Sequence, residues 1–238
     1  MKEKSKPYLI EISLFVAVIL LLSVGTYSRN GLWNDAISLW TDCAKKSPNK
    51  ARPYVGLGTA YFLAGVYDKS LETNQRAIQL DPKCAEAYHN LGLTYQKMGD
   101  LKKAIEMEKK SLEVDPTFYV VYCSLGGFYF EQGQYEEANE AFRKFLEIYP
   151  YFPEVHSLLA ITYAAEKKFD KAVTELEWEI RINPYHTLAH LNLGQIYWYE
   201  FRNREKAIYH LKAALVLDPY IPHRAEIRKL VRQLEGLP

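Results

Sequence analysis

Apolar residues between positions 85 and 116 recur at the three- and four-residue spacing of amphipathic helices. They form two stripes, Tyr88, Leu91 and Tyr95, then Leu101, Ala104, Ile105 and Leu112. Gly99-Asp100 separates the stripes and is a turn signal. Asp115-Pro116 ends the second stripe, because the residue before a proline is disfavoured in the α region. The pattern predicts a helical hairpin.

This hairpin pattern recurs along the chain. Its closing prolines are spaced by 34 residues, except for a last interval of 35, at Pro48, Pro82, Pro116, Pro150, Pro184 and Pro219. Other marks keep fixed offsets: Tyr or His, then Leu-Gly or Leu-Ala, then Tyr, and later a small residue, as at Tyr88, Leu91-Gly92, Tyr95 and Ala104. Such a period indicates a repeat array. The marks resemble the tetratricopeptide repeat from about residue 31 to residue 221.

The resemblance implies an all-α, right-handed α-solenoid of helix-turn-helix units, because one hairpin cannot bury its apolar stripe alone. We expect a half-repeat junction at 29–50, five units at 51–221 and a C-terminal capping helix at 222–238. Glycines within the first helices, such as Gly126, are expected where the facing helix comes close. Asn74 and Glu108 occupy a second-helix position that is apolar in other units. We expect both side chains to reach solvent, or alternatively to form a polar contact site.

A second feature is the uncharged apolar run near the N-terminus. Residues 8–27 carry one charge, Glu11, and twenty helical residues span roughly 30 Å, the thickness of a bilayer core. We predict a transmembrane signal anchor within residues 1–28. A cleavable signal peptide and a buried soluble helix are the alternatives, and the segment could also pack as the missing half of the first repeat. Lysines before the run place the repeats on the extracytoplasmic side, periplasmic or lumenal.

Composition narrows the function classes. The formal net charge of +1 gives no basic field for nucleic acid. Three scattered cysteines give neither a disulfide framework nor a CxxC metal site. His186 and His190 have helical spacing, but HTLAH lacks the Glu of a zinc protease motif. We expect no enzyme activity, no cofactor, no metal and no small-molecule substrate.

A binding surface remains as the predicted function. The resemblance implies that the first helix of each unit lines the inner wall of the solenoid. Carried over by position, the peptide-binding groove would comprise Val55, Thr59, Phe62, His89, Asn90, Leu93, Lys97, Phe130, Ile161, Leu191, Asn192, Gln195, Trp198 and Tyr199. Phe62, Phe130 and Trp198 share one offset, and a row of exposed rings would favour protein binding. Burial of these rings against the next unit is the alternative.

We therefore predict a membrane-anchored scaffold that binds an apolar or amphipathic segment of a partner protein. An alternative follows from residues 26–52, which resemble the junction before the repeat tail of polytopic, protein-mannosylating membrane glycosyltransferases. The chain would then be an accessory subunit or orphaned tail that recruits acceptor proteins. Homo-oligomerisation through Asn74 and Glu108 is a third possibility. The sequence does not define the oligomeric state.

Overall fold

The computed structural model describes residues 35–152 and 154–236, and all regular structure in these ranges is helical. The helices are α1 (Ala36–Lys46), α2 (Ala51–Leu63), α3 (Tyr67–Leu80), α4 (Ala85–Lys97), α5 (Leu101–Val114), α6 (Val120–Glu131), α7 (Tyr135–Ile148), α8 (Val155–Ala165), α9 (Phe169–Ile182), α10 (Thr187–Tyr199), α11 (Arg204–Leu217) and α12 (Arg224–Glu235). The all-α prediction is confirmed for these residues.

Contacts divide the chain into two compact units at Asp100 and Leu101. The described part of the first unit contains α1–α4, and the second unit contains α5–α12. Within each unit every helix packs against the next one in the chain, which is the packing of a solenoid. The division falls inside residues 51–221, the range predicted for the five repeat units.

The turn within each hairpin needs one residue with positive φ. Glycine meets this need at Gly65, Gly99 and Gly133, with φ of 74°, 84° and 75°. Lys167 takes the same place before α9 with φ of 60°, and Arg202 does so before α11 with φ of 53°. The extra residue of the last repeat lies in this turn, which is Glu200–Asn203.

The recurring Asp-Pro pair has a second structural role. The side chains of Asp81, Asp115 and Asp218 each accept a hydrogen bond from the backbone N–H two residues later, at 3.0, 2.9 and 2.7 Å. These turns compete with helix continuation, so the aspartate ends the helix together with the proline. Asn183 does the same from Tyr185 at 3.2 Å.

The core of the second unit lies where the two helices of each hairpin meet. Phe142, Leu176 and Leu211 occupy the same second-helix position and are at most 1% exposed. They pack against the first-helix position held by Gly126, Ala160 and Gly194. A Cβ atom on Gly126 would lie 2.5 Å from the Phe142 ring, so this glycine permits the predicted close approach.

The predicted span, residues 8–27, lies outside the described residues. Within the described ranges, no helix combines the length and apolarity needed to cross a membrane. At the other end, α12 packs on α11 and buries Ile227, Val231 and Leu234.

Candidate peptide-binding grooves

A groove in the second unit runs between the first helices α8 and α10. Its volume is about 230 Å³, and its lining residues are Ala160, Ile161, Ala164, Leu176, Asn192, Gln195 and Ile196. The lining is uncharged, and Ile161 is 41% exposed at its edge. Three predicted site residues, Ile161, Asn192 and Gln195, are brought together here.

A second groove adjoins the first and runs between α10 and α12. Its volume is about 280 Å³, and it is lined by Leu188, Leu191, Gln195, Tyr199, Leu211, Ile221, Pro222, His223, Glu226, Ile227 and Leu230. Gln195 belongs to both grooves, so they share one wall. Tyr199 is 53% exposed and Leu188 is 56% exposed. These two grooves together are called the α10 groove pair below.

The α10 groove pair can accept apolar side chains and offers few polar partners. Asn192 and Gln195 carry amide groups that both donate and accept hydrogen bonds, which suits the backbone of a bound segment. Apolar walls with a few polar groups are typical of ligand-binding clefts. The geometry therefore fits a segment with apolar side chains on one face.

The predicted row of exposed rings is only partly present. Phe62, Phe130 and Trp198 are half-buried, and each contacts a neighbour near its own hairpin turn. Phe62 packs on Tyr67 and Phe130 on Tyr135, with ring centroids 6.0 and 5.5 Å apart. The Arg202 guanidinium lies 5.6 Å from the Trp198 ring centroid. Each ring therefore packs against a residue at its own hairpin turn, and only part of it remains exposed.

In the first unit, Val55 is a correction to the predicted set. It is 7% exposed and packs in a core cluster with Ala77 and Ala87, because it faces the next repeat. Among the other predicted residues, Lys97 is exposed, and Thr59, His89, Asn90 and Leu93 are half-buried.

Thr59 and Asn90 are held by a hydrogen-bond chain. The Asn90 side-chain amide donates to Thr59 Oγ1 at 2.9 Å and to Asn74 Oδ1 at 3.3 Å. Asn74 in turn donates to the Ser70 carbonyl at 2.9 Å, and the Ser70 hydroxyl lies 3.0 Å from the Thr94 hydroxyl. The Thr59 hydroxyl and the Asn90 side-chain N–H groups thereby have partners inside the first unit.

Both expectations for Asn74 and Glu108 were wrong. Each side chain is fully buried rather than reaching solvent. Asn74 fits because Gly58 has no side chain: a Cβ there would lie 2.3 Å from the Asn74 amide. The sequence has three polar residues, Ser70, Asn74 and Thr94, at repeat positions that lie close together. This combination could have indicated a buried hydrogen-bond network.

A cleft on the second-helix side was not predicted. It lies between α7 and α9, has a volume of about 380 Å³, and is lined by Arg143, Leu146, Glu147, Pro150, Tyr151, His156, Leu159, Glu175 and Trp178. His156 Nδ1 lies 2.8 Å from Glu175, and the imidazole stacks near Trp178 with centroids 6.2 Å apart. The sequence signal that could have indicated this cleft is His156, which stands where the three preceding units have tyrosine.

In three hairpins the first-helix Tyr or His of the repeat pattern is hydrogen-bonded to the preceding proline. Tyr54 donates to the Pro48 carbonyl, and His156 and His190 do so through Nε2 to Pro150 and Pro184, at 3.3, 3.0 and 3.2 Å. A hydrogen-bond donor is therefore what this position requires.

The pKa values of the two histidines shift in opposite directions because their partners differ. Burial lowers the pKa of His156, but hydrogen bonds to Glu175 and to the Pro150 carbonyl outweigh it, so the pKa is raised. In the next repeat His210 replaces Glu175, with its Nδ1 3.1 Å from that of His190. Burial first, then His190, lowers the pKa of His210 to about 4, and burial also lowers the pKa of His190.

The described histidines, cysteines and carboxylates do not gather into a set of metal ligands. In the described parts of the chain, no group of three or more His, Cys, Asp or Glu residues could hold a metal ion. Burial raises the pKa of the Cys84 and Cys123 thiols, which opposes thiolate formation.

Comparison with known proteins places the repeats in a family. A model described as "TPR repeat" matches residues 58–99. Models described as "Tetratricopeptide repeat" match residues 85–118, 108–138, 129–177 and 157–222. A comparison with curated proteins gives no match.

Several solved structures share the fold. YrrB, described as a TPR protein with an unusual peptide-binding site, is 23% identical with a TM-score of 0.67, over 82% of this chain and 100% of that one. MamA is 25% identical with a TM-score of 0.63, over 68% and 94% of the two chains. PilF of Pseudomonas aeruginosa is 22% identical with a TM-score of 0.69, over 78% and 84%.

Proposed function

Since the chain carries tetratricopeptide repeats from residue 58 to residue 222, as predicted, we propose that it is a non-enzymatic adaptor for a partner protein. The partner contributes an apolar or amphipathic segment that binds the α10 groove pair. The observation that carries this proposal is the convergence of Ile161, Asn192, Gln195 and Tyr199 on two adjoining grooves with apolar walls. The described peptide-binding site of YrrB, a protein of the same fold, supports this type of function.

The geometry also limits the bound segment. One apolar side chain of the segment would enter the groove between α8 and α10, and another would enter the groove between α10 and α12, on either side of Gln195. The polar face of the segment would stay in solvent. Glu226 and His223 lie at the groove between α10 and α12 only, and the His223 Nδ1 lies 2.8 Å from the Glu226 carboxylate, so the charged groups at that end already pair with each other.

Peptide selection tests this proposal. A display library of amphipathic peptides is selected on the wild-type protein, and selected peptides are measured by titration. We expect the double variant Ile161→Arg and Gln195→Arg to weaken binding at least tenfold, because it places two cations on an uncharged wall. Val216→Arg is the matched control, since Val216 is 78% exposed on α11 and lines neither groove. Equal binding to the double variant, or no enriched peptide, would refute the proposal.

We further propose that residues 8–27 attach the protein to a membrane in a single pass, with the repeats on the extracytoplasmic side. The uncharged run and the three lysines that precede it support this arrangement. Protease added to intact cells, or to intact spheroplasts, should digest the repeats. Protection of the repeats until the membrane is lysed would place them on the opposite side.

A further inference from the structure

The cleft between α7 and α9 carries one cation and one anion that have no partner of opposite charge. Arg143 and Glu147 both line this cleft, and both side chains are exposed on α7. They lie four residues apart, about one helical turn, so they share one face of the helix. The Arg143 Nε donates to the Asn139 carbonyl at 3.3 Å, but neither Arg143 nor Glu147 forms an ion pair with another residue that the structure describes.

The other ionisable side chains that line the cleft pair with each other. The His156 Nδ1 lies 2.8 Å from the Glu175 carboxylate. Arg143 and Glu147 are therefore the charges that a partner can engage, and they have opposite signs. A uniformly acidic or uniformly basic partner would be attracted by one of them and repelled by the other. The cleft is thus complementary to a surface that carries one charge of each sign.

Apolar and aromatic side chains surround these two charges. Leu146 and Leu159 line the cleft, and the exposed rings of Tyr151 and Trp178 stand at its two sides. Phe152, next to Tyr151, is exposed as well. Contiguous exposed apolar side chains mark interaction surfaces, and Trp, Tyr and Arg are the residue types that contribute most to binding between proteins. The composition of the cleft therefore suits a contact with another protein chain.

We propose that this cleft is an interface between two copies of the chain related by a twofold axis. A twofold axis makes every contact reciprocal, so Arg143 of each copy faces Glu147 of the other. Both charges are then paired, and no charge is left over. The exposed rings of Tyr151 and Trp178 are covered in the same contact. A second copy is the occupant that necessarily carries the same two charges in the matching arrangement.

This interface is separate from the α10 groove pair. No residue that lines the cleft between α7 and α9 lines either of those grooves. Pairing of two copies through the cleft therefore occupies none of the residues proposed to bind a partner segment. The inference does not rest on the proposed adaptor function, and the two can be tested separately.

Exchange of the two charges tests the proposal. Sedimentation velocity of the full-length protein in mild detergent measures self-association, and we expect the wild type to form dimers. Arg143→Glu and Glu147→Arg should each weaken the dimer about tenfold or more, because each turns two attractive contacts into two repulsive ones. The variant that combines both substitutions should dimerise again. An equimolar mixture of the two single variants should form dimers that contain one copy of each, because the opposite charges then face each other.

Two tyrosines provide a matched control for the apolar part of the interface. Tyr151 and Tyr220 each follow the proline that closes a repeat and are 69% and 92% exposed, but Tyr220 does not line the cleft. Tyr151→Ala should weaken the dimer about tenfold, and Tyr220→Ala should leave it unchanged. All these side chains are exposed, so circular dichroism should show the helix content of the wild type in every variant.

Several results would overturn the proposal. A wild-type protein that stays monomeric at every concentration measured would do so, and so would a dimer that persists in both single charge variants. Failure of the combined variant to dimerise again would show that Arg143 and Glu147 do not face each other. Binding of a different protein to the cleft of a monomeric chain would show another occupant.

Discussion

Two neighbouring glycines in α6 give a direct test of close helix approach. A Cβ on Gly126 would lie 2.5 to 2.7 Å from three ring atoms of Phe142, which is 1% exposed and cannot move into solvent. A Cβ on Gly127 would meet no atom within 4 Å. Both positions lie inside the same helix, so the change in helix propensity is the same for both.

The expected magnitudes follow from two effects. Alanine is favoured over glycine in a helix by about 1 kcal/mol. Overpacking a rigid core costs about 1 to 3 kcal/mol, and contacts this short place Gly126→Ala near the upper end. We therefore expect Gly126→Ala to lower the free energy of unfolding by about 2 kcal/mol, and Gly127→Ala to raise it by about 1 kcal/mol.

The next repeat supplies a rescue variant. There Ala160 faces Leu176, and both are 1% exposed, so an alanine is accommodated beside leucine. Adding Phe142→Leu to Gly126→Ala should therefore recover part of the lost stability, although Phe142→Leu alone should destabilise. Urea denaturation followed by far-ultraviolet circular dichroism measures the wild type and all four variants. Equal effects of the two glycine substitutions would refute the close-approach account.

Three further predictions concern other parts of the chain. Asn74→Leu should destabilise the first unit by about 2 kcal/mol, because it removes the buried hydrogen bonds that the Asn74 side chain makes with the Ser70 carbonyl and with the Asn90 amide; hydrogen exchange of α3 amides measures it, and unchanged exchange would contradict it. The pKa of His210 is about 4 in the folded protein, below the ordinary value of 6.5. The stability of the folded state that depends on neutral His210 is therefore present above pH 6.5, and on the order of 3 kcal/mol of it is lost as pH falls towards 4. His210→Gln should flatten the stability difference between pH 4.5 and pH 7, measured by urea denaturation, and an unchanged pH dependence would contradict this. Lys167→Gly should stabilise by up to about 1 kcal/mol in thermal or urea unfolding, because φ is 60° there; a loss of stability would show that the lysine side chain matters more.

The regular features of the fold could be predicted because they follow from local chemistry. The spacing of Tyr88, Leu91 and Tyr95 gives one helical stripe, and Asp115-Pro116 ends the following helix through a local turn. Gly126 could be interpreted as a close approach because an interior helical glycine is otherwise unfavourable. Each inference needed only residues near in sequence.

The fate of particular side chains depended on partners far apart in sequence. The burial of Asn74 depends on Gly58, which leaves space for its side chain, and on Thr94, which lies 20 residues later. The Thr94 hydroxyl is hydrogen-bonded to the hydroxyl of Ser70, the residue that Asn74 contacts. The half-burial of Phe130 depends on Tyr135 at the start of the next helix. Sequence spacing assigned Phe130 to a wall, but it could not show how far a local contact would cover the ring.

The two histidine-containing repeats show how one fold position acquires different chemistry. His156 can donate from both ring nitrogens, to the Pro150 carbonyl and to Glu175, which favours the imidazolium. A neutral His190 that donates from Nε2 to a proline carbonyl accepts at Nδ1, and a neutral His210 then donates from its own Nδ1. That arrangement favours two neutral rings. Replacing a carboxylate by an imidazole at one second-helix position thus reverses the charge preference of its partner while the backbone contact to proline is kept. Differences of this kind, rather than the repeat itself, distinguish the cleft between α7 and α9 from the corresponding surface of the next repeat.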